Sequence, residues 1–490
     1  MLVAQLSNKD GLFWRMQGRK DYQERLFLNF QLSDRVPEDN FYRRLKDAID
    51  WSFIPQATRR YYGTEGQQSI DPVVFFKLIL VGYLENIASD RRIVSMASMR
   101  MDIMFFLGYN IDETLPWHST LSRTRQLFGE EVFKELFKTV LKQCINKGMV
   151  AGRRQAVDSA LIKANASLSS VVEKEIIDDA GKFVDELLTQ EHEQSAGKEI
   201  KLESSDKKEP KPFSNQTHQS TTDKDSRIAF KPGKPSQLNY LAQTSVDTAS
   251  HVITHIHADY ADKRDSQCLP KVLDGLQENL GTEGLLIDEV LADTAYSSGT
   301  ALKALEEKQI TGYIPNTGKY KAEREGFTYH AQGDYYTCSQ GQVLPFRNIR
   351  DKSTHPVREY GTKAVQCKHC PIHKTCLGKL PTKIIRDSVD KPYYDRMHQR
   401  LKCSYAKQTL KLRQSTVEPV LGTLINFLGL RRLNTRGIRS ANKCMLMAAT
   451  AYNLKKLLKF RQPTSLTQMV THHLLNSFCL TSTQNSFLCP

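Results

Sequence analysis

Between Gly152 and Asn316 the apolar residues change period repeatedly. RRQAVDSALIKANAS is a strand-like run around Val157, and LNYLAQTSVD and HVITHIHAD alternate on either side of a short Thr-Ala-Ser turn, the pattern of an antiparallel hairpin. An amphipathic helical segment follows (CLPKVLDGLQENLG), then a strand ending on Asp293 (LLIDEVLAD), a helix (GTALKALEEKQ) and a last strand (ITGYIPN). Strand, hairpin, helix, strand, helix, strand is an order that a mixed sheet with helices on its faces satisfies. The expected class is α/β.

Upstream the period is helical throughout. Asp71 can cap a helix with Pro72 at its first position, and Val73, Phe76, Leu80 and Leu84 follow at helical spacing. A second helix is expected from Ser89 through to Gly108, and a third from Ser119 or Thr120, displaying Arg123 and Arg125. A fourth carries Val132, Phe133, Leu136, Val140 and Leu141 on one face and stops at Gly148. Arginines on short helices suit DNA contact, and they equally suit an ordinary solvated face.

Residues 169–220 depart from both patterns, with 12 acidic and 7 basic side chains. They read as a solvated insertion, helical at first (VVEKEIIDDAGKFVDELL) and then disordered. The whole chain still carries a formal net charge of +15 over 490 residues, which favours a polyanionic partner. Ten cysteines are too sparse for a disulfide scaffold, the longest apolar run is VVFFKLILVGYL, and no secretory leader is legible at the start. A cytoplasmic protein is expected, with no membrane partner.

Two acidic residues stand in unfavourable company. Asp158 lies within a strand, where a carboxylate needs pairing or coordination unless the strand is an edge or the site a turn. From Arg400 to Arg461 there are fourteen Lys and Arg but a single acid, Glu418. Ser415-x-x-Glu418 reads as a capping box and Pro419 as the marker of a helix start, although a carboxylate there could also hold a divalent cation beside a polyanion.

Together these stretches resemble the DDE transposases of bacterial insertion sequences. VDSALIKANAS surrounds Asp158, ADTAYSSG surrounds Asp293, RQSTVEPVLG surrounds Glu418, and AYNLKKL follows, in the family's order. The segments from YYGTEGQQSIDPVVFFKLILVGYL to FFLGYNIDETLPWHSTLSRTRQ are similar to the N-terminal region of the same enzymes. The resemblance implies a ribonuclease-H-like mixed sheet flanked by helices, an all-helical N-terminal domain and a cysteine-containing insertion before the last catalytic helix. It divides the chain into 1–150 (helical, DNA-binding), 151–168 (first catalytic strand), 169–226 (charged, largely disordered insertion), 227–320 (central catalytic part), 321–395 (β-rich insertion), 396–461 (catalytic and C-terminal helices) and 462–490 (tail).

It also implies that Asp158, Asp293 and Glu418 bind Mg²⁺ or Mn²⁺, as a pair of ions about 4 Å apart suited to in-line phosphodiester displacement. By resemblance Arg413 contacts the phosphate backbone near the cut, with Lys411, Arg431, Arg432 and Arg436 completing a DNA grip beside Arg123 and Arg125. Relatives usually carry a lysine seven residues after the glutamate, and here that residue is Ile425. Asp247, Asp265 and Asp288 are rival ligands ranked below the trio. Tyr296 is either a core residue or a contact to a DNA end.

Cys338, Cys367, Cys370 and Cys376 fall close together in the β-rich insertion, two of them at C-x2-C spacing, so a structural Zn²⁺ is expected, with His369 or His373 able to replace one ligand. The implied function is binding of terminal inverted repeats, metal-dependent cleavage and transfer to target DNA, by a protein that dimerises on double-stranded DNA at the nucleoid. A stand-alone nuclease or resolvase, or an inactive zinc-bearing DNA-binding derivative, would share most of these features.

Overall fold

In the computed structural model, which describes residues 30–63, 65, 69–174, 214–230, 235–318, 320–351 and 356–461, helices lead. They are α1 (Leu32–Arg35), α2 (Phe41–Ala48), α3 (Phe53–Thr58), α4 (Pro72–Leu84), α5 (Asp90–Met99), α6 (Met101–Leu107), α7 (His118–Leu127) and α8 (Glu130–Asn146). Asp71 caps α4 as expected, accepting from the Val73 and Val74 amides, with Pro72 at the first position. The helix expected from Ser89 to Gly108 is two. Ser89 caps α5, but Arg100 adopts an extended backbone (φ −117°, ψ 112°) and α6 begins after it. Nothing in the local residues is a helix breaker; Arg100 is held by Glu85 and Asp102.

The sheet follows: β1 (Arg154–Lys163), β4 (Arg227–Ala229), β5 (Gln237–Asp247), β6 (Ile253–Tyr260), β7 (Glu289–Leu291) and β8 (Thr311–Tyr313), with β2 (Val171–Glu173) and β3 (His218–Ser220) forming a separate two-stranded ribbon. β1 runs antiparallel to β5 and parallel to β7, and β7 runs parallel to β8. The hairpin β5–β6 is antiparallel, and β4 shares the same side of β5. The chain is mixed α/β, as its changes of period foretold. Asp158 therefore sits in an interior strand, not at an edge or turn. The helix and disordered tail expected within 169–226 fall mainly on 175–213, outside the described residues, as does the tail from 462.

Helices α9 (Asp265–Gly281) and α10 (Gly299–Glu307) follow the hairpin and β7. The segment 321–395 forms a five-stranded antiparallel sheet: β9 (Phe327–His330), β10 (Tyr335–Cys338), β11 (Val343–Arg350), β12 (Val357–Gly361) and β13 (Ile384–Ser388). Between β12 and β13 lie the short helices α11 (Ala364–Lys368) and α12 (His373–Leu377). Its small core is built on tyrosines whose hydroxyls need acceptors, and Asp334 takes those of Tyr329 and Tyr360 at 2.9 and 2.7 Å.

Three helices close the fold, α13 (Lys391–Lys402), α14 (Ser404–Phe427) and α15 (Ile438–Lys459). α15 is apolar on nearly every side because it is buried on nearly every side, packing against α4, α8 and β6. One apolar core consequently runs from Phe75 and Phe76 through Met445 and Ala448 to Ile253. α15 also finishes the sheet. The Asn453 side chain donates to the Ile253 carbonyl (2.8 Å) and accepts from its amide (2.9 Å), and Asn442 accepts from the Ala258 amide (2.9 Å). Backbone groups of β6 that no strand pairs are thus satisfied by a helix.

Candidate active site

The Ala156–Leu291 pairing of parallel strands β1 and β7 sets the geometry, because Asp158 and Asp293 each lie two residues beyond it along the chain. Asp158 is still within β1, opposite Thr244 of β5, and its Oδ1 accepts from the Ser159 amide at 2.8 Å. β7 has ended by Asp293, which caps the 3-10 turn Thr294–Tyr296 by accepting from the Ala295 amide at 2.9 Å. Both aspartates line one groove of about 470 Å³, together with Asp265, Lys263, Arg264, Phe230, Leu161 and Leu241 among others.

Glu418 arrives on α14, and here the local reading fails. The helix starts at Ser404, Ser415 donates to the Leu412 carbonyl instead of capping, and Pro419 lies inside the helix. No capping box forms at Ser415 and Glu418. A proline at that depth removes one main-chain hydrogen bond, so tertiary contacts must hold the helix together. They do so near its start, where the Tyr405 hydroxyl donates to Glu289 of β7 at 2.9 Å while Arg154 of β1 pairs with the same carboxylate. Further along, Val417, Val420, Leu421 and Leu424 are buried in the main core.

Arg413 joins the carboxylates. Its Nη1 donates to Asp158 Oδ2 at 2.8 Å and its Nη2 to Glu418 Oε1 at 3.2 Å. The Arg413 and Asp158 side chains are only 12% and 16% exposed, whereas that of Glu418 is 51% exposed. Burial pushes the Asp158 carboxyl up from the ordinary carboxylate value and the neighbouring Asp293 adds to this, against the Ser159 amide and the Arg413 guanidinium. The ionised form of Asp158 is therefore disfavoured by its surroundings relative to a free carboxylate.

Behind the groove the Tyr296 hydroxyl, fully buried, donates to Gln243 Oε1 at 2.6 Å, and Gln243 Nε2 donates to Asp265 at 3.0 Å. Tyr296 is a core residue in this structure. Asp265, ranked below the trio on sequence, shares the groove with the two aspartates; Asp247 does not, being buried in the hairpin turn with the Gly152 and Ala249 amides and the Gln155 side chain as donors. Asp288 is paired with Arg153. No sequence pattern points to Gln243, which would have needed the register of β5 to find.

The cations divide. Lys411, Arg431, Arg432, Arg436 and Arg123 are exposed. Arg125 is not displayed as expected; it is buried and bound by both guanidinium nitrogens to Asp90, at 2.9 and 2.6 Å, which fixes α7 against α5 and withdraws it from any DNA-facing set. Ile425 packs against the main core.

The three carboxylates lining the groove, Asp158, Asp265 and Asp293, suit a hard divalent ion in kind. Among the described residues, no three His, Cys, Asp or Glu side chains stand close enough to ligate one ion, and Arg413 is the cation that Asp158 and Glu418 share. The four cysteines expected to share zinc are not gathered into one group either: the buried Cys367 thiol donates to Thr362 Oγ1 at 3.1 Å, and Cys338 Sγ accepts from the Gln342 amide at 3.3 Å.

Two stretches match known family models: residues 30–127 a transposase domain of the type designated DUF772, and residues 337–458 a transposase DDE domain. The second contains Arg413 and Glu418 but neither aspartate. Both matches are to transposase families, the second of the DDE class, which supports a DDE-class transposase. No curated protein matches it. Among solved structures it is similar to the piggyBac transposase in a cryo-EM synaptic complex with hairpin DNA, at 10% identity over 88% of this chain and 83% of that one, with a TM-score of 0.30. No helix among the described residues is long and apolar enough to cross a membrane.

Proposed function

We propose that this transposase binds the ends of an insertion sequence and performs metal-dependent cleavage and strand transfer at Asp158, Asp293 and Glu418. One observation carries the reading: Asp158 and Asp293, 135 residues apart in sequence, line one groove, and Arg413 bonds both Asp158 and Glu418. The order of the sheet, an antiparallel hairpin beside β1 and two parallel strands on its other side, supports a ribonuclease-H-like fold for the catalytic part.

Asp158 and Asp293 would hold Mg²⁺ or Mn²⁺ from the strand side and Glu418 from the helix side. Bound there, such ions supply activation of a water or 3′-hydroxyl and stabilisation of the leaving oxygen in an in-line phosphodiester displacement. The protein's own contribution is placement. Tyr405 and Arg154 tie α14 to β7, so that Glu418 stays over the strand ends; Arg413 holds Asp158 and Glu418 in position and keeps their charges tolerable. The exposed Lys411, Arg431, Arg432 and Arg436 grip the phosphate backbone, and Arg123 extends that grip into the helical region, which we assign to DNA binding. Two copies, one per end, would assemble on double-stranded DNA.

The test is cleavage and strand transfer with Mg²⁺ on a duplex carrying the inverted repeat that flanks the reading frame. Asp158→Asn, Asp293→Asn and Glu418→Gln are each expected to bind the duplex and fail to cut it. Equal processing by all three variants and the wild type would overturn the site.

A further inference from the structure

The helical region and the catalytic part meet along a seam lined with unneutralised cations. The loop between α14 and α15 packs against the turn that leads into α5. The Gly429 amide donates to Asn86 Oδ1 at 3.0 Å, while the Asn86 and Asn434 side chains donate to the Asn426 and Ala88 carbonyls at 3.0 and 2.8 Å. The same loop lies on the end of β1, where the Leu433 amide donates to the Lys163 carbonyl at 2.9 Å and the Asn165 side chain to the Asn434 carbonyl at 3.3 Å. One loop therefore fastens α5, β1 and α14 together.

Arg431 and Arg432 stand exposed on this loop, and Arg91 and Arg92 stand exposed in the first turn of α5, just beyond Ala88. None of the four forms an ion pair among the described residues. Acids at the seam are engaged elsewhere: Asp90 holds Arg125, and Asp223 and Asp225 accept from the Gly437 and Ile438 amides. The placement is unfavourable in the free protein, because the start of a helix already carries positive partial charge. Both helices that begin at the seam add to it, α5 with Arg91 and Arg92 and α15 with Arg439 in a first turn that holds no acid. An anion lying on the seam turns these repulsions into attractions, and a row of guanidiniums suits the repeated phosphates of a nucleic-acid backbone.

Resting on the reading of Asp158 as part of the cleavage site, we infer that the seam holds the DNA end in cis: the helical region and the α14–α15 loop of one protomer grip the duplex that its own carboxylates cut. Lys163 lies five residues beyond Asp158 on β1, roughly 17 Å of extended strand. The grip therefore falls roughly five base pairs from the cut, at about 3.4 Å per pair.

Filter binding of the end duplex over a salt series compares the wild type with two double variants, Arg91→Gln with Arg92→Gln and Arg431→Gln with Arg432→Gln. All four side chains are exposed and unpaired, so both variants should melt like the wild type. Each should lower the slope of log affinity against log salt by about two, one for each phosphate contact. An unchanged slope in the Arg91/Arg92 variant overturns the seam. In hydroxyl-radical footprints the protection lost in the two variants should fall on neighbouring phosphates, roughly five base pairs from the cut; losses separated by more than a helical turn overturn the shared segment. The Arg91/Arg92 variant is then mixed with Asp158→Asn, at a concentration where the former alone leaves the duplex unbound. The mixture should cut no faster than either protein alone. Cleavage restored toward the wild-type rate would mean that one copy grips the end another copy cuts, which overturns the inference and leaves the carboxylate site standing. If Asp158→Asn alone cuts like the wild type, the cleavage site is misassigned, and the salt slopes and footprints still decide whether the seam binds DNA.

Discussion

Replacing Arg413 by Gln should weaken the fold in a manner that depends on pH. The guanidinium bonds Asp158 at 2.8 Å in a setting where both side chains are largely shielded from water. Two unit charges about 4 Å apart attract by about 4 kcal/mol at an effective permittivity near 20. Desolvation offsets part of that in the intact pair, but removing one partner leaves the other charge buried, at a cost of about 3 kcal/mol, the low end for a buried pair because the Ser159 amide remains on Asp158. The second contact, to half-exposed Glu418, adds only about 0.5 kcal/mol. Urea denaturation at pH 7 should therefore show Arg413→Gln less stable than the wild type by about 3 kcal/mol. The difference should shrink as pH falls and Asp158 takes up a proton, since a neutral carboxyl needs no counter-charge. Arg413→Gln combined with Asp158→Asn should recover most of the loss. A single variant as stable as the wild type at pH 7, or a double variant that recovers nothing, would refute the account of Arg413 as the internal partner of a strained carboxylate.

Asp158→Asn gives a second pH test. Because burial raises the Asp158 carboxyl in the folded chain, its contribution to stability is complete below the ordinary carboxylate value and is lost as pH rises through the raised value. Thermal melting from pH 4 to pH 8 should thus favour the variant increasingly, then level off. Gly275→Ala should cost about 2 kcal/mol, since a Cβ there would fall 2.0 Å from the ring of buried His255, which His257 holds at 2.9 Å and which would have to shift. Asn453→Ala should cost about 3 kcal/mol by leaving the Ile253 amide and carbonyl buried without partners, with no change in the DNA affinity of the fraction that remains folded; denaturation and filter binding measure the two halves.

The parts of the fold that depend on neighbouring residues were legible before any coordinates. Asp71 beside Pro72 marked a helix start, the alternating runs around the Thr-Ala-Ser turn marked a hairpin, and a carboxylate inside VDSALIK marked Asp158 as a residue needing a purpose. Contacts between distant residues were not. Glu418 looked like a cap because Ser-x-x-Glu followed by proline is a genuine local signal, yet Tyr405, anchored on Glu289, starts the helix far earlier and overrides it. Arg125 carried the same pattern as Arg123, and only its buried partner Asp90 distinguishes them. The same holds for Asp265, whose place beside the aspartates depends on a glutamine one strand away.

The asparagines of α15 have a bearing on synthesis as well as stability. Until Asn442 and Asn453 have been made and docked, the outer side of β6 presents free amides and carbonyls, a template on which another unfinished chain can align. A product cut short between β8 and α15 would keep most of its sheet and lack its cover. Such fragments should precipitate with each other, and with intact chains still in the course of folding, so that a nonsense mutation late in the reading frame would be dominantly harmful to its own full-length sibling.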